Sequence, residues 1–476
     1  MKRLMKKAAV WGLAVSLLLT NSGVTAFAGQ SNIGNAYTYK TDETSGTVDW
    51  ETPVVPTEEN SDGSVTTSAE ADGETPAGDS EADWETPAAP SDTAELSGTE
   101  NEEGVTGEED QADLAVTPTA DADGNYTLQS NDDFVALSNL DANVYQNANI
   151  VIAPHGQTPI NLSGTGFKGF GSEAYPFAGS IKISGEYTGY ITLDSSLFNV
   201  LSQAANVSAL NLRAANNTTS PVLADKIVKG AAESTQNIMV KLDVVAEAGS
   251  VEEQYDYSSF GGIIGELADG ASVSLTVYDN IKKEKGVVSG DGNRGFFCNT
   301  LGDNASLTVS GFTGEADYSV ISTGGNAGGF VGELGTNAQL TVGTELTYTG
   351  SVKGSSNAGG LVGNAKDGAA ININAACRVN CSSISSTAGS GHSGGLSGYA
   401  ENPVLVIDDG KELSVNAVLS VDNKTGAVGG LIGYCKITKD KEFDFGKISV
   451  NAASIISGLY AGGVFGVLYN SSADDS

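Results

Sequence analysis

Apolar residues recur at every second position in short bursts along the second half of the chain: Val273, Leu275, Val277; Leu307, Val309; Leu340, Val342; Ile371, Ile373; and Val404, Val406. A period of two places them on one side of a pleated strand, so each burst predicts a β-strand with one buried face. A further strand follows in most units, as at Leu346 and Tyr348, before an Asn/Ser/Gly-rich stretch. Ahead of each burst stands a Gly-Gly-apolar-apolar-Gly run, at 261–265, 328–332, 359–363, 394–398, 429–433 and 462–466, with a degenerate seventh copy, Arg294-Gly295-Phe296-Phe297-Cys298. Counted at the second position (Gly262, Gly295, Gly329, Gly360, Gly395, Gly430, Gly463), the copies are 33, 34, 31, 35, 35 and 33 residues apart.

A nearly fixed period over seven copies is the mark of a repeat architecture. Three short strands per unit suit one triangular coil of about 33 residues, and one such coil cannot bury its inward side chains alone. Coils stacked about 4.8 Å apart pair each strand with its equivalent in the next unit, which makes the strands parallel and the core continuous. The fold class predicted is therefore all-β, a parallel β-helix. The glycines, including Gly265, Gly332, Gly363, Gly398, Gly433 and Gly466 at the last motif position, fall at a corner repeated in every coil. A column of Cβ atoms would crowd there, and some positions need φ > 0. Ankyrin repeats share this period but need two helices per unit, which segments so rich in Gly, Thr, Val and Ser do not form.

Residues 125–260 read as less regular leading coils, and 261–476 as the glycine-marked repeats. Tyr126-Thr127-Leu128 predicts a strand and 131–137 a short helix, with Ser130 or Asn131 as its N-cap, covering the open first coil. No matching cover follows Gly466, so a C-terminal continuation or a capping partner is expected.

With Gly359-Gly360-Leu361-Val362-Gly363 and its relatives on view, the repeats resemble the GLUG-motif family of bacterial surface proteins. Phe167-Lys168-Gly169-Phe170-Gly171, Tyr175-Pro176-Phe177-Ala178-Gly179-Ser180, and Leu197-Phe198 followed by Val207 and Leu210 are similar to the coils that precede such repeats. The resemblance runs from about Tyr126 onward. It implies a right-handed parallel β-helix in an adhesin-like protein, or in the non-catalytic leading part of a secreted peptidase, and it implies no catalytic residue.

Charge divides the chain. Lys2, Arg3, Lys6 and Lys7 precede an apolar run from Ala8 to Leu19 and then Ala26-Phe27-Ala28, the layout of a signal peptide (1–28) cleaved between Ala28 and Gly29. The run is too short to cross a bilayer, so no integral membrane segment is expected in the mature chain. Residues 42–124 carry 25 acids and no base, which predicts a disordered acidic linker over 29–124. Its duplicated Asp-Trp-Glu-Thr-Pro, at 49–53 and 83–87, reads as a repeated spacer. The net charge of −35 argues against nucleic acid and anionic membranes as partners. Secretion or display on the bacterial cell surface follows.

Chemistry is sparse. Cys298, Cys377, Cys381 and Cys435 lack a Cys-x-x-Cys pair, and their disulfide state is open; zinc is excluded for want of ligands, His155 and His392 being the only histidines. Asp121-Ala122-Asp123-Gly124 matches only the middle of a calcium loop and reads as a turn. The Asn-Thr-Asp, Asp-Asp and Gly-His-Gly clusters of pectin hydrolases are incomplete and misordered at Asn299-Thr300, Asp408-Asp409 and Gly391-His392. Arg213, Arg294 and Arg378 are the arginines beyond the leader and the candidates for a lyase base. No catalytic, metal or cofactor site is assigned. The expectation is a non-catalytic, adhesin-like module for an unknown glycan or protein. The alternatives are a carbohydrate-active enzyme (a polysaccharide lyase or glycoside hydrolase) on this scaffold, or the leading domain of a larger secreted peptidase. Carboxylates gathered with an Arg or Lys in one groove would favour the enzyme.

Overall fold

The structure, a computed structural model, describes residues 118–471 except 216–217, 231–235, 245, 248–255, 258, 280–285, 312–313, 423–424, 439–447, 452–453 and 457–458. The chain divides into two units, Met1–Glu103 and Gly104–Ser476, and the described residues belong to the second. The expected leader and most of the acidic linker lie outside them.

The described residues form a parallel β-solenoid of about eight coils. One coil shows the plan. A two-residue strand at the glycine corner (Ala327–Gly328) is followed by Val331–Leu334, Gln339–Val342, Leu346–Tyr348 and Ser351–Gly354. Each pairs in parallel with its equivalents in neighbouring coils, building sheets of six, nine, nine, five and seven strands. The expected three strands per coil are thus five. The corner makes a strand of its own, and the third side is split at Thr349-Gly350, where a side chain on Gly350 would collide with the Tyr318 backbone of the preceding coil. The exception to parallel pairing among the described residues is the antiparallel pair Ala246–Glu247 with Asp256–Tyr257.

Register follows the hydrophobic pattern with two corrections. Val273, Leu307, Leu340 and Ile371 stack as expected, but the next residue in that column is Leu405, and Ile407 continues the column of Val342 and Ile373. Val404 and Val406, expected inside, therefore sit on the other face, Val406 being 44% exposed. In a run of four apolar residues the period of two fixes no phase, and a one-residue slip exchanges the faces. The degenerate motif copy is also displaced. Gly295 pairs with Gly328, the first glycine of the next copy, and Cys298 pairs with Val331. The copy is thus Gly295-Phe296-Phe297-Cys298-Asn299, with Phe296 at the second glycine position and Asn299 at the last. Arg294 precedes the motif and replaces none of its glycines.

The core is a set of columns. Ile264, Cys298, Val331, Val362, Ser397 and Ile432 stack in one, and Leu267, Leu301, Leu334, Ala365, Ala400 and Cys435 in its neighbour. All four cysteines are buried free thiols. Burial pushes Cys298, Cys377 and Cys435 up to about 12, so they pack as small apolar groups. Phe260, Phe296, Phe297, Tyr318, Phe330 and Tyr348 fill the middle coils, and the buried tyrosine hydroxyls donate to the carbonyls of Gly329 and Ser351.

At the N-terminal end, Asn125–Leu128 opens a four-stranded sheet, entered through a turn in which the Asp121 carboxylate accepts from the Asp123 and Asn125 amides. The expected helix is Asn131–Ser138, capped by Ser130, with Asp133 closing a capping box. Its Phe134 ring packs against Phe167 and Phe170, so the helix covers the leading coil. At the other end Phe465–Asn470 ends the order of its sheet, beside Leu459, Val464 and Leu468 at 43–56% exposure.

Candidate functional site: a polar groove along the glycine corner

The corner is too tight for side chains. A Cβ on Gly328 would collide with the Val331 carbonyl, and one on Gly363 would lie 2.6 Å from the Gly332 oxygen and 2.8 Å from the Ala327 oxygen. Bare backbone therefore lies against bare backbone, and the side chains flanking the motif on its two sides come face to face outside the corner. One row comprises the residues two before the first glycine: Asn293, Asn326, Asn357, His392. The other comprises those directly after the last motif position: Glu266, Thr300, Glu333, Asn364, Tyr399, Tyr434. Contacts across the gap include Asn293 to Thr300 at 3.3 Å, Asn326 to Glu333 at 3.2 Å, and the His392 and Tyr434 rings at 4.9 Å. Five coil steps from Glu266 to Tyr434 span about 24 Å.

The first row is an asparagine ladder. Asn293 Oδ1 accepts from the Asn326 amide N–H and Nδ2, and Asn326 Oδ1 accepts likewise from Asn357. Asn357 Oδ1 takes the His392 N–H, and His392 Nδ1 takes the Ala427 N–H at 3.1 Å. His392 thus stands in for a ladder asparagine, and the Ala427 bond assigns its proton to Nε2. Burial pushes its pKa down to about 4. Opposite, Glu333 accepts from Asn326 and Asn364 and pairs with Lys366 at 2.7 Å. Tyr399 and Tyr434 stack at 5.6 Å and 7°, covering each other's faces and walling the groove.

The groove opens into a cavity of about 470 Å³ where the motif is degenerate, lined by residues that include Ser220, Asp225, Glu266, Asp291, Asn293, Arg294 and Thr300. The six-stranded corner sheet begins here at Arg294–Gly295, and the coil before it turns at Gly261-Gly262 without a corner strand. Gly262 is the motif glycine with positive φ, at 94°; the other copies turn the corner without it. Asn299 spans the gap, donating to the Gly261 oxygen at 2.9 Å and accepting from the Gly295 N–H at 3.1 Å. Phe296 fits because its coil carries Ala316 where the next carries Tyr348, whose ring a Cβ on Gly329 would strike.

Asp225 is the chemically distinctive residue of this cavity. Ser196 Oγ lies 2.6 Å from the Pro221 oxygen and 2.5 Å from Asp225 Oδ1. The Ser196 hydroxyl donates toward both oxygens in a three-centre bond, tying the Asp225 carboxyl to the backbone at Pro221. Burial pushes the Asp225 carboxyl above its ordinary range, against the lowering effect of the Ser196 bond. Glu266 lies 3.7 Å from Lys226, which also holds Glu173 at 3.1 Å. Arg294 sits beside Asp291 with its Nε buried and without a hydrogen-bond partner.

Of the three arginines singled out in the sequence, Arg294 alone lines the cavity. Arg213 lies over the Tyr190 ring at 4.8 Å, and Arg378 pairs with Glu345 at 2.9 Å. Asp408-Asp409-Gly410 is a turn between strands. Asp225, Glu266 and Asp291 escaped the sequence reading because Asp225 comes from the preceding coil and Glu266 and Asp291 from opposite ends of one coil. The ladder was legible as an Asn two residues before the first glycine, at 293, 326 and 357. Among the described residues no group of three His, Cys, Asp or Glu is placed to hold a metal ion, and no helix is long and apolar enough to cross a membrane. The fold and the facing rows define the class, a parallel β-solenoid with a polar track along its glycine corner. No family model matches the chain, and no curated protein or solved structure is detectably similar to it.

Proposed function

We propose that this chain is an exported bacterial surface protein that binds an extended glycan along the corner groove without cleaving it. The observation that carries the reading is the groove itself. It is a polar track about 24 Å long whose walls are tied to each other and to the next coil, so it is held rigid before any ligand arrives. Three of the groups beside it that could act as bases or cations are engaged, His392 in the ladder, Lys366 with Glu333, and Lys436 with Glu401 at 2.9 Å, whereas Arg294 in the cavity has its Nε without a hydrogen-bond partner. The leader-like residues 1–28 and the likeness of the repeats to GLUG-motif proteins support export and display, with the acidic 29–124 as a tether. Limited proteolysis tests the tether: 42–124 should be cut well before the repeats, and equal resistance would sink it.

A second reading, a glycoside-cleaving enzyme, is favoured by one observation. Asp225, whose carboxyl is pushed above its ordinary range, and Glu266, paired with Lys226, share one cavity, and glycoside cleavage pairs a carboxyl of raised pKa with an ionised one. Incubating the protein with a panel of host and plant glycans separates the two. Retention without shortening by mass spectrometry is expected. Shortening that Asp225→Asn and Glu266→Gln both abolish would establish the enzyme instead.

A further inference from the structure

We infer that the cavity at the degenerate motif copy is a subsite of the groove for a single sugar residue without an acidic group, and that it prefers an amino sugar carrying a free ammonium. This rests on the groove's being a glycan-binding track.

The place comes first. In the other complete copies a glycine holds the last motif position and the corner closes on itself; here Asn299 replaces it and a cavity of about 470 Å³ opens. That volume falls within the roughly 300–1,000 Å³ of small-ligand sites. A departure from an otherwise consistent pattern, costing a regular corner, is where function is expected.

The lining selects the chemistry. Nearly every wall group is a hydrogen-bonding one, with hydroxyls on Thr219, Ser220 and Thr300 and carboxyls on Asp225, Glu266 and Asp291. A ligand must replace the water on these groups bond for bond, because a wall group left unpaired costs affinity. A ring bearing several hydroxyls does so; an apolar ligand does not. Charge then sets the sign. Asp225, Glu266, Asp291 and nearby Glu173 are offset by Lys226 and Arg294, four acids against two bases. Residues 125–476 add a background of −15, from 34 acids and 19 bases. A uronate brought here meets net repulsion, while an ammonium gains a carboxylate.

The test uses the whole chain and three methyl glycosides with the same ring, the glucosaminide, the glucoside and the glucuronide, titrated calorimetrically. The glucosaminide should bind roughly fivefold more tightly than the glucoside, the scale of one exposed ion pair, with the glucuronide weakest. Glu266→Gln should remove that preference, so that the glucosaminide and the glucoside bind alike. Equal or tighter binding of the glucuronide overturns the inference, as does an unchanged preference in Glu266→Gln. Should the protein retain polysaccharides while none of the three glycosides binds, the groove reading survives and the subsite falls. Retention of no glycan at all removes both.

Discussion

Replacing His392 by asparagine isolates one contribution to acid stability. In the folded protein His392 Nδ1 accepts the Ala427 N–H, so the ring must be neutral; protonation would set two N–H groups against each other. Burial accordingly lowers its pKa from 6.5 to about 4. The folded pKa lies below the unfolded one, so the contribution is fully present above pH about 6.5 and is lost as pH falls toward about 4. A shift of about 2.5 units sets a ceiling near 3.4 kcal/mol, and the ring's partial exposure reduces this to about 1–2 kcal/mol. Asparagine accepts the same N–H and continues the ladder as Asn326 and Asn357 do, but it does not titrate. Loss of the Tyr434 ring contact costs the variant a pH-independent offset of about 0.5–1.5 kcal/mol. Denaturant unfolding of both proteins at pH 7.5, 5.5 and 4.5 reads the difference, in which the titration of the many carboxylates cancels. The native protein should lose about 1–2 kcal/mol more than His392→Asn between pH 7.5 and 4.5. Parallel losses would refute the assignment of His392 as a neutral ladder acceptor.

Three further outcomes follow from the same geometry. Gly329→Ala, whose Cβ would strike both the Gly360 carbonyl and the Tyr348 ring, should cost more than about 3 kcal/mol, whereas Gly185→Ala, with nothing within 4 Å, should stay within about 0.5; melting temperatures decide. Asn326→Ala leaves the Asn357 N–H and Nδ2 without their acceptor and Glu333 without one donor, while the backbone N–H at 326 still serves Asn293 Oδ1, and should cost about 1–3 kcal/mol in equilibrium unfolding. Asp225 has a raised folded pKa, so its carboxyl favours the fold at low pH and loses that advantage as pH rises through the folded value. Asp225→Asn does not titrate, so its melting temperature relative to the native protein should be higher at pH 7.5 than near pH 3.5, and an equal difference at the two pH values would argue against the raised carboxyl pKa.

Composition and periodicity by themselves determined the class of fold. A two-residue alternation makes strands whatever surrounds them, and a motif recurring every 31–35 residues forces stacked coils, because one coil cannot bury its own interior. The corner glycines were legible for the same reason, since crowding in a repeated column depends only on the repeat. Three things were settled by tertiary structure alone. Val404-Leu405-Val406-Ile407 is apolar on both faces, so only pairing with Ile371 and Ile373 chose Leu405 and Ile407 for the inner face. The register of the degenerate copy was set by Phe296, which fits beside Ala316 and not beside Tyr348, a matter of volumes meeting across the coil. The cavity drew Asp225 from one coil and Glu266 and Asp291 from opposite ends of the next, and no spacing along one coil predicts side chains that converge only when coils stack.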